Sequence, residues 1–180
     1  MIKRLGVSRY VLLAWMLWLS GLPCNAWADA DNISGFSEIK LGADLAAYDT
    51  ELFNLLSNRK NIINGKNYYE KSFAESFSAL LLKSQSGQTK QSASELKRRL
   101  LSGPAARPRA FKDSATQNVF LYYDACQAHA CDRNNLALLY ETQTKLMRAK
   151  LSINGKTEFL GIVSEPEKSL LSHLQPNAAR

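Results

Sequence analysis

The sequence predicts an α+β fold in which helices come first, an antiparallel sheet follows and one further helix ends the chain. In the first half, apolar residues recur every three or four positions, which is the spacing of one buried helix face. The second half holds short runs rich in aliphatic and aromatic residues, which are typical of strands. Asn154 and Gly155 separate two of these runs and predict a two-residue hairpin turn. We therefore expect an antiparallel meander combined with helices.

Three helices are predicted before the sheet. The first covers Leu41 to Leu56 and the second covers Tyr68 to Lys83, because each has an apolar face. The polar stretch at about 83–94 is rich in Ser, Gln and Lys and is expected to be a mobile loop. A short third helix is expected to begin at Ser92, with Glu95 completing a capping box, and to end near Leu101.

Four strands and a final helix are predicted in the second half. Ser164 and Glu167 have the spacing of a capping box, and Pro166 suits a first helical turn, so SEPEKSLLSHL is expected to be helical. No internal repeat is visible. The predicted strands cover 118–125, 135–142, 145–153 and 157–163.

The N-terminus has the three parts of a secretory signal peptide. A basic stretch precedes the apolar run Tyr10 to Leu22, and Ala26-Trp27-Ala28 then forms an A-x-A cleavage pattern. The apolar run of about 13 residues is shorter than the roughly 20 that a membrane-spanning helix needs. We therefore expect residues 1–28 to be removed and residues 29–180 to form a single domain in the periplasm, without a stable membrane anchor.

The expected cleavage changes the charge balance. The full chain has 23 basic and 16 acidic residues, a net charge of +7. Removal of Lys3, Arg4 and Arg9 leaves 20 basic residues and a net charge of +4, so a nucleic-acid partner is not expected. The basic segment from Lys97 to Arg109 fits either a solvated helix face or a contact surface for an anionic cell-wall polymer.

Enzymatic activity is not expected from the sequence. The chain lacks a Walker loop, a GxSxG elbow and an HExxH helix. Its carboxylates are scattered, and none of them stands out as part of a general acid and base pair. No cofactor is expected.

The segment CQAHAC, from Cys126 to Cys131, carries the strongest chemical signal. Cys24 leaves with the signal peptide, and two cysteines in an oxidising compartment most simply form one disulfide. The bond would close a short loop with His129 near its tip. Two interpretations stay open: a preorganised loop that loses little entropy when it binds a partner, and an ordinary stapled hairpin with a solvated histidine.

Other chemistries fit this segment less well. A structural zinc site needs four ligands, whereas Cys126, His129 and Cys131 supply three, and His173 lies on the predicted last helix. The residue order also differs from the C-x-x-C-H of c-type haem and from the C-x-x-C of thioredoxin-like pairs. A periplasmic metal-binding or enzymatic protein that uses His129 with both cysteines is kept as an alternative.

The C-x-x-H-x-C motif after a strand, the meander and the closing FLGIVSEPEKSLLSHL resemble the Ivy family of periplasmic inhibitors of vertebrate C-type lysozyme. The resemblance spans roughly residues 102–174. It implies an antiparallel sheet with helices packed on one face and a disulfide-closed loop. The family carries Lys, Pro and Asp or Asn at the positions where this chain has Gln127, Ala128 and Ala130.

The resemblance implies that His129 enters the lysozyme cleft and meets its two catalytic carboxylates. The expected function is inhibition of C-type lysozyme. A binder of another peptidoglycan hydrolase, either an inhibitor or immunity-like, is the alternative, and a lytic transglycosylase is one such target. A homodimer is as compatible with the sequence as a monomer. The expected target-binding residues are Cys126, Gln127, Ala128, His129, Ala130 and Cys131.

Overall fold

The computed structural model describes residues 32–57, 62–63 and 65–174. The expected signal peptide, residues 1–28, lies outside the described residues. None of the described helices is long and apolar enough to cross a membrane. The strands are β1 (Asn32–Ile33), β2 (Phe36–Ile39), β3 (Ile62–Ile63), β4 (Lys66–Asn67), β5 (Arg109–Asp113), β6 (Val119–Cys126), β7 (Asn135–Glu141), β8 (Met147–Ile153) and β9 (Lys156–Leu160). The helices are α1 (Leu52–Leu56), α2 (Lys71–Leu81), α3 (Lys90–Leu100) and α4 (Glu165–His173).

Seven strands form one antiparallel sheet in the order β1-β2-β5-β6-β7-β8-β9, and β3 pairs with β4 separately. Strands β5 to β9 are neighbours in chain order, so they form the predicted meander. The α+β class is therefore confirmed. The hairpin between β8 and β9 also forms as predicted, because Asn154 and Gly155 both adopt the positive φ, 53° and 77°, that a type I′ turn requires.

The two faces of the sheet carry two separate cores, because successive side chains of a strand point to opposite faces. On the first face, α1, α2 and α3 bury aromatic and aliphatic residues, among them Phe73 and Tyr123, whose rings meet edge to face with centroids 5.7 Å apart. On the second face, α4 buries Leu170 and Leu171 against Tyr122 and its neighbours. The expectation of helices on one face holds for the first three helices. The fourth packs on the opposite face, because its apolar residues complete the second core.

The first predicted helix is broken. Its range contains a 3-10 turn at Ala43–Leu45 and the short helix α1, with a non-helical connection between them. The carbonyl of Tyr48 accepts hydrogen bonds from the Tyr123 hydroxyl at 2.8 Å and from the Thr50 N–H at 2.8 Å. These bonds replace the bond that a continuous helix would make from this carbonyl. The apolar spacing nevertheless reflects burial, because Tyr48 packs against the first core.

The third helix begins earlier than predicted. Thr89 is its N-cap, and the Thr89 hydroxyl accepts from the backbone N–H of Ser92 at 3.0 Å. The Ser92 hydroxyl in turn accepts from the Thr89 N–H at 2.9 Å, which completes a capping box. The polar stretch 83–94 is therefore a loop only up to Thr89. Glu95 does not take part in the cap and instead contacts Arg98 on the next turn.

A buried ion cluster connects α4 to the second face. Nη1 of Arg148 lies 3.0 Å from a carboxylate oxygen of Glu141, and Nε lies 2.9 Å from Glu167. The three side chains are only 15 %, 5 % and 7 % exposed. Glu167 also completes the predicted capping box with Ser164, so the first turn of α4 is tied to the sheet. Buried charges of this kind are tolerated only because they are paired and hydrogen-bonded.

Candidate functional site

The segment CQAHAC connects β6 to β7 at one end of the sheet. Cys126 is the last residue of β6, and the chain turns back to begin β7 at Asn135. Cys126 and Cys131 form a disulfide with a Cα–Cα distance of 4.9 Å, so the predicted bond is confirmed. The bonded sulfurs are not thiolates, which is the form of cysteine that binds metals or acts as a nucleophile.

His129 is the one exposed residue of the six, whereas Cys126 is buried and the other four are partly buried. Its φ is 62°, in the left-handed region that non-glycine residues adopt rarely. The Ala130 N–H donates to the Gln127 carbonyl at 3.0 Å and closes a tight turn around Ala128 and His129. A positive φ at the third position is characteristic of type II turns. The turn presents the imidazole to solvent at the tip of the loop.

Gln127 holds the base of the loop. Its side-chain oxygen accepts hydrogen bonds from Nη2 and Nε of Arg99, at 2.9 and 3.1 Å, and from the side-chain amide of Asn134 at 2.9 Å. Its backbone N–H donates to the Asn134 carbonyl at 3.0 Å. The donor on Arg99 is charged, which strengthens these bonds. Gln127 therefore positions the loop from below and does not project toward a target.

Asn134 extends this network to the neighbouring hairpin. Its side chain is buried, and its side-chain oxygen Oδ1 accepts from the backbone N–H of Asn154 at 2.7 Å. The N–H of Gly155 also donates to the Arg133 carbonyl at 3.2 Å. The loop and the β8–β9 turn consequently form one connected rim at this end of the sheet.

The segment after α3 supports the loop from the other side. The Ala128 N–H donates to the Ser102 hydroxyl at 3.1 Å, and the Gly103 N–H donates to the Cys126 carbonyl at 2.9 Å. A Cβ atom on Gly103 would lie 2.5 Å from the Cys126 carbonyl oxygen and 3.0 Å from its sulfur. Only glycine permits this approach. The loop is thus fixed by a covalent bond and by contacts to three other segments.

The basic segment from Lys97 to Arg109 is largely paired within the protein. Arg99 donates to the side chain of Gln127 in the loop. The ammonium group of Lys97 donates to the Leu56 carbonyl at 3.2 Å, and burial lowers the pKa of Lys97. Each of the five cations in the segment has a partner, and the side chains of Arg98 and Arg107 are nevertheless 74 % and 75 % exposed. The remaining pairs are Arg98 with Glu95, Arg107 with Asp49 and Arg109 with Glu38.

The structure thus separates the six predicted target-binding residues into two groups. His129 projects outward between the partly buried Ala128 and Ala130 at the tip, while Cys126, Gln127 and Cys131 hold the base of the loop. Sequence reasoning missed the positioning roles of Arg99 and Asn134, because neither residue stands out by type or spacing. His173, the second histidine, is exposed at the end of α4. Within the described part of the chain, no group of three or more His, Cys, Asp or Glu side chains is arranged to hold a metal ion.

Comparisons with protein-family models, curated proteins and solved structures find no match to this chain. The relation to the Ivy family therefore remains a resemblance carried by the loop motif and its context.

Proposed function

We propose that the protein is an exported inhibitor of C-type lysozyme that inserts the loop from Cys126 to Cys131 into the catalytic cleft. The observation that carries this proposal is a single exposed imidazole, His129, at the tip of a loop that a disulfide and a side-chain network hold in place. Gln127 and Asn134 support the loop beneath this tip. The loop is not required to catalyse anything.

The rigidity of the loop favours binding. Ordering a flexible, rotamer-rich side chain at an interface costs about 0.5–1.5 kcal/mol, and ordering the backbone adds to this. Here the backbone is already fixed before the target arrives. Ala128 and Ala130 contribute only methyl groups beside His129, so no long side chain must be ordered at the tip and none obstructs entry into a cleft.

The imidazole suits a cleft with two carboxylates. C-type lysozyme uses one Glu and one Asp on either side of the scissile bond. A protonated imidazole between them donates from both ring nitrogens, and each charge-assisted bond contributes about 1.5–3 kcal/mol. The loop would also occupy the space of the sugar ring. Occupation of the subsite and engagement of both carboxylates would together stop hydrolysis.

A muramidase assay with the mature protein tests this proposal. We expect the wild type to inhibit C-type lysozyme at micromolar concentration and His129→Ala to lose most of the inhibition. His173→Ala is the matched control, because it removes the other histidine, which lies on α4, and it should inhibit like the wild type. Equal inhibition by wild type and His129→Ala would show that His129 is not the blocking residue.

The target itself is tested by a panel of glycan-cleaving enzymes. A lytic transglycosylase has one catalytic carboxylate, so His129 would find a single partner there. Inhibition of such an enzyme without inhibition of C-type lysozyme would contradict the proposed target and would support the alternative binder of another peptidoglycan hydrolase. Failure to inhibit any of them would remove the inhibitor proposal.

Export is part of the same proposal, and it rests on the signal-peptide pattern of residues 1–28. The disulfide agrees with this location, because disulfides persist in oxidising compartments. N-terminal mass analysis of protein recovered from the periplasm should show a chain that begins at Asp29. Recovery of the intact chain from the cytoplasm would contradict export.

A further inference from the structure

A groove with a volume of about 270 Å³ lies on the second face of the sheet, beside the disulfide. Its floor is made by β7, β8 and β9, and the last turn of α4 forms one wall at Leu171. The loop closes one end through Cys131 and Asp132. The groove faces away from the first core and does not include His129.

The floor of the groove is polar and carries one cation. Lys150 lines it together with Asn135, and the hydroxyls of Ser152 and Thr157 lie 2.9 Å apart on it. Ala137 pairs directly with Lys150 on the neighbouring strand, and its small side chain leaves space above the sheet. The groove therefore offers an ammonium group, two hydroxyls and a side-chain amide within one small volume. The carboxylate of Asp132 at its end is paired with Arg133, with Oδ2 3.7 Å from Nε.

An exposed aromatic ring extends this floor toward the free edge of the sheet. Phe159 pairs with Lys150 in the β8–β9 register, and directly paired side chains share a face. Phe159 is two residues from Thr157 and so points to the same side of β9. Its ring is 38 % exposed although it is large and apolar. A hydrophobic ring beside polar groups is the usual composition of a small-molecule site.

We propose that this groove binds an acidic amino sugar. The Lys150 ammonium pairs with the carboxylate of the sugar, and the hydroxyls and amide of the floor bond to its hydroxyl and acetamido groups. Phe159 and Leu171 cover its apolar C–H surfaces. A volume of 270 Å³ is slightly below the range of sites for drug-sized ligands, so the groove suits one sugar ring and not a longer chain.

Binding to the mature protein can be followed by NMR titration with N-acetylmuramic acid. N-acetylglucosamine is the matched ligand, because it has the same ring and acetamido group but lacks the lactyl carboxylate. We expect N-acetylmuramic acid to shift the amide signals of Lys150, Ser152, Thr157 and Phe159, and N-acetylglucosamine to bind about tenfold more weakly, because one charge-assisted bond is lost.

Variants separate the groove from the rest of the hairpin. Lys150→Met should weaken binding of N-acetylmuramic acid about tenfold, and Phe159→Ala should also weaken it. Lys156→Met is the control, because Lys156 pairs with Ile153, which packs against the first core, and so lies on the other face. This variant should bind like the wild type. Retention of the wild-type spectrum outside the groove shows that each variant is folded.

Four outcomes would overturn the proposal. The first three are the absence of shifts at the groove, equal binding of the two sugars, and wild-type affinity in Lys150→Met. Displacement of N-acetylmuramic acid by inorganic phosphate at equal concentration would reduce the groove to an unspecific anion site and would contradict sugar recognition. This test does not use lysozyme. A failure of the sugar-binding proposal for the groove can therefore be distinguished from a failure of the inhibition proposal for the loop.

Discussion

Two polar clusters lie at the two ends of the same sheet, and they differ in what they hold. The cluster around Gln127 and Asn134 lies under the loop and connects irregular segments through hydrogen bonds to the neutral side-chain amides of these two residues. The cluster around Arg148 lies at the opposite end and connects α4 to two strands through buried ion pairs. The first cluster sets the shape of a surface loop, whereas the second secures a core element. Damage to the first should therefore affect binding more than stability, and damage to the second should do the reverse.

The largest effect on stability is expected from Arg148→Met. The substitution keeps most of the aliphatic volume but leaves Glu141 and Glu167 buried without their cation. Loss of one partner of a buried ion pair costs about 3–5 kcal/mol. Urea denaturation should show this decrease in the free energy of unfolding. Arg98→Met, which breaks a solvent-exposed pair with Glu95, serves as control and should leave the free energy of unfolding nearly unchanged.

A smaller decrease in stability, with a larger loss of inhibition, is expected when the disulfide is removed by Cys126→Ser and Cys131→Ser. The bond closes a ring with a sequence separation of 5, so it contributes only about 2 kcal/mol in the chain-entropy model. The loop nevertheless loses its fixed shape. Urea denaturation and the lysozyme assay should be run on the same sample. A variant that is less stable but inhibits fully would contradict the positioning role of the bond.

Gln127→Leu is expected to destabilise the protein by about 1–3 kcal/mol, because Arg99 and Asn134 lose their shared acceptor. Inhibition should weaken more than this stability loss explains, since the tip of the loop is no longer held. Gln127→Glu keeps an acceptor for Arg99 and should restore most of the inhibition. If the leucine variant inhibits like the wild type, the network beneath the loop is structural only.

The smallest effect is expected at the partly exposed pair of Glu38 and Arg109, which serves as a reference for both buried clusters. The hydrogen bond from Arg109 lowers the pKa of Glu38 below its ordinary value. The resulting stability is therefore present above the unfolded pKa of about 4.3 and is lost as the pH falls through the lower folded value. Glu38→Gln should cost less than about 1 kcal/mol at pH 7 and nothing once the carboxyl is protonated. Urea denaturation of wild type and variant, at pH 7 and at a pH below the folded pKa of Glu38, measures the cost of the substitution under each condition. An equal cost at the two pH values would contradict the ion pair.

Features that depend on neighbouring residues were predictable from the sequence alone. The turn at Asn154-Gly155 and the cap formed by Ser164 and Glu167 need only residues within four positions, and both are present in the structure. The strands from β6 to β9 were visible for the same reason, because each lies in a short run rich in aliphatic and aromatic residues. The disulfide followed from the count of cysteines and the expected compartment, and it is confirmed.

Strands β1, β2 and β5 were not predicted. They are short or contain charged residues, as in RAFKD of β5. β2 and β5 become strands because they pair with each other although they are far apart in the chain, and β1 then pairs with the adjacent β2. Glu38 of β2 pairs with Phe111 of β5 in register, and the local sequence of neither segment predicts this pairing. The break in the first predicted helix also depends on a distant residue. The hydroxyl that donates to the Tyr48 carbonyl belongs to Tyr123, 75 residues later in the chain.

The sequence by itself determined the α+β class, the meander and the presence of a histidine within a disulfide-closed loop, because these depend on composition and short spacings. Only the tertiary structure decided that Gln127 faces inward, since Arg99 lies 28 residues before it. The tertiary structure also placed α4 on the second face and assembled the groove at Lys150 from three strands and a helix. Contacts between distant residues depend on how the chain packs as a whole, and a local pattern does not encode them.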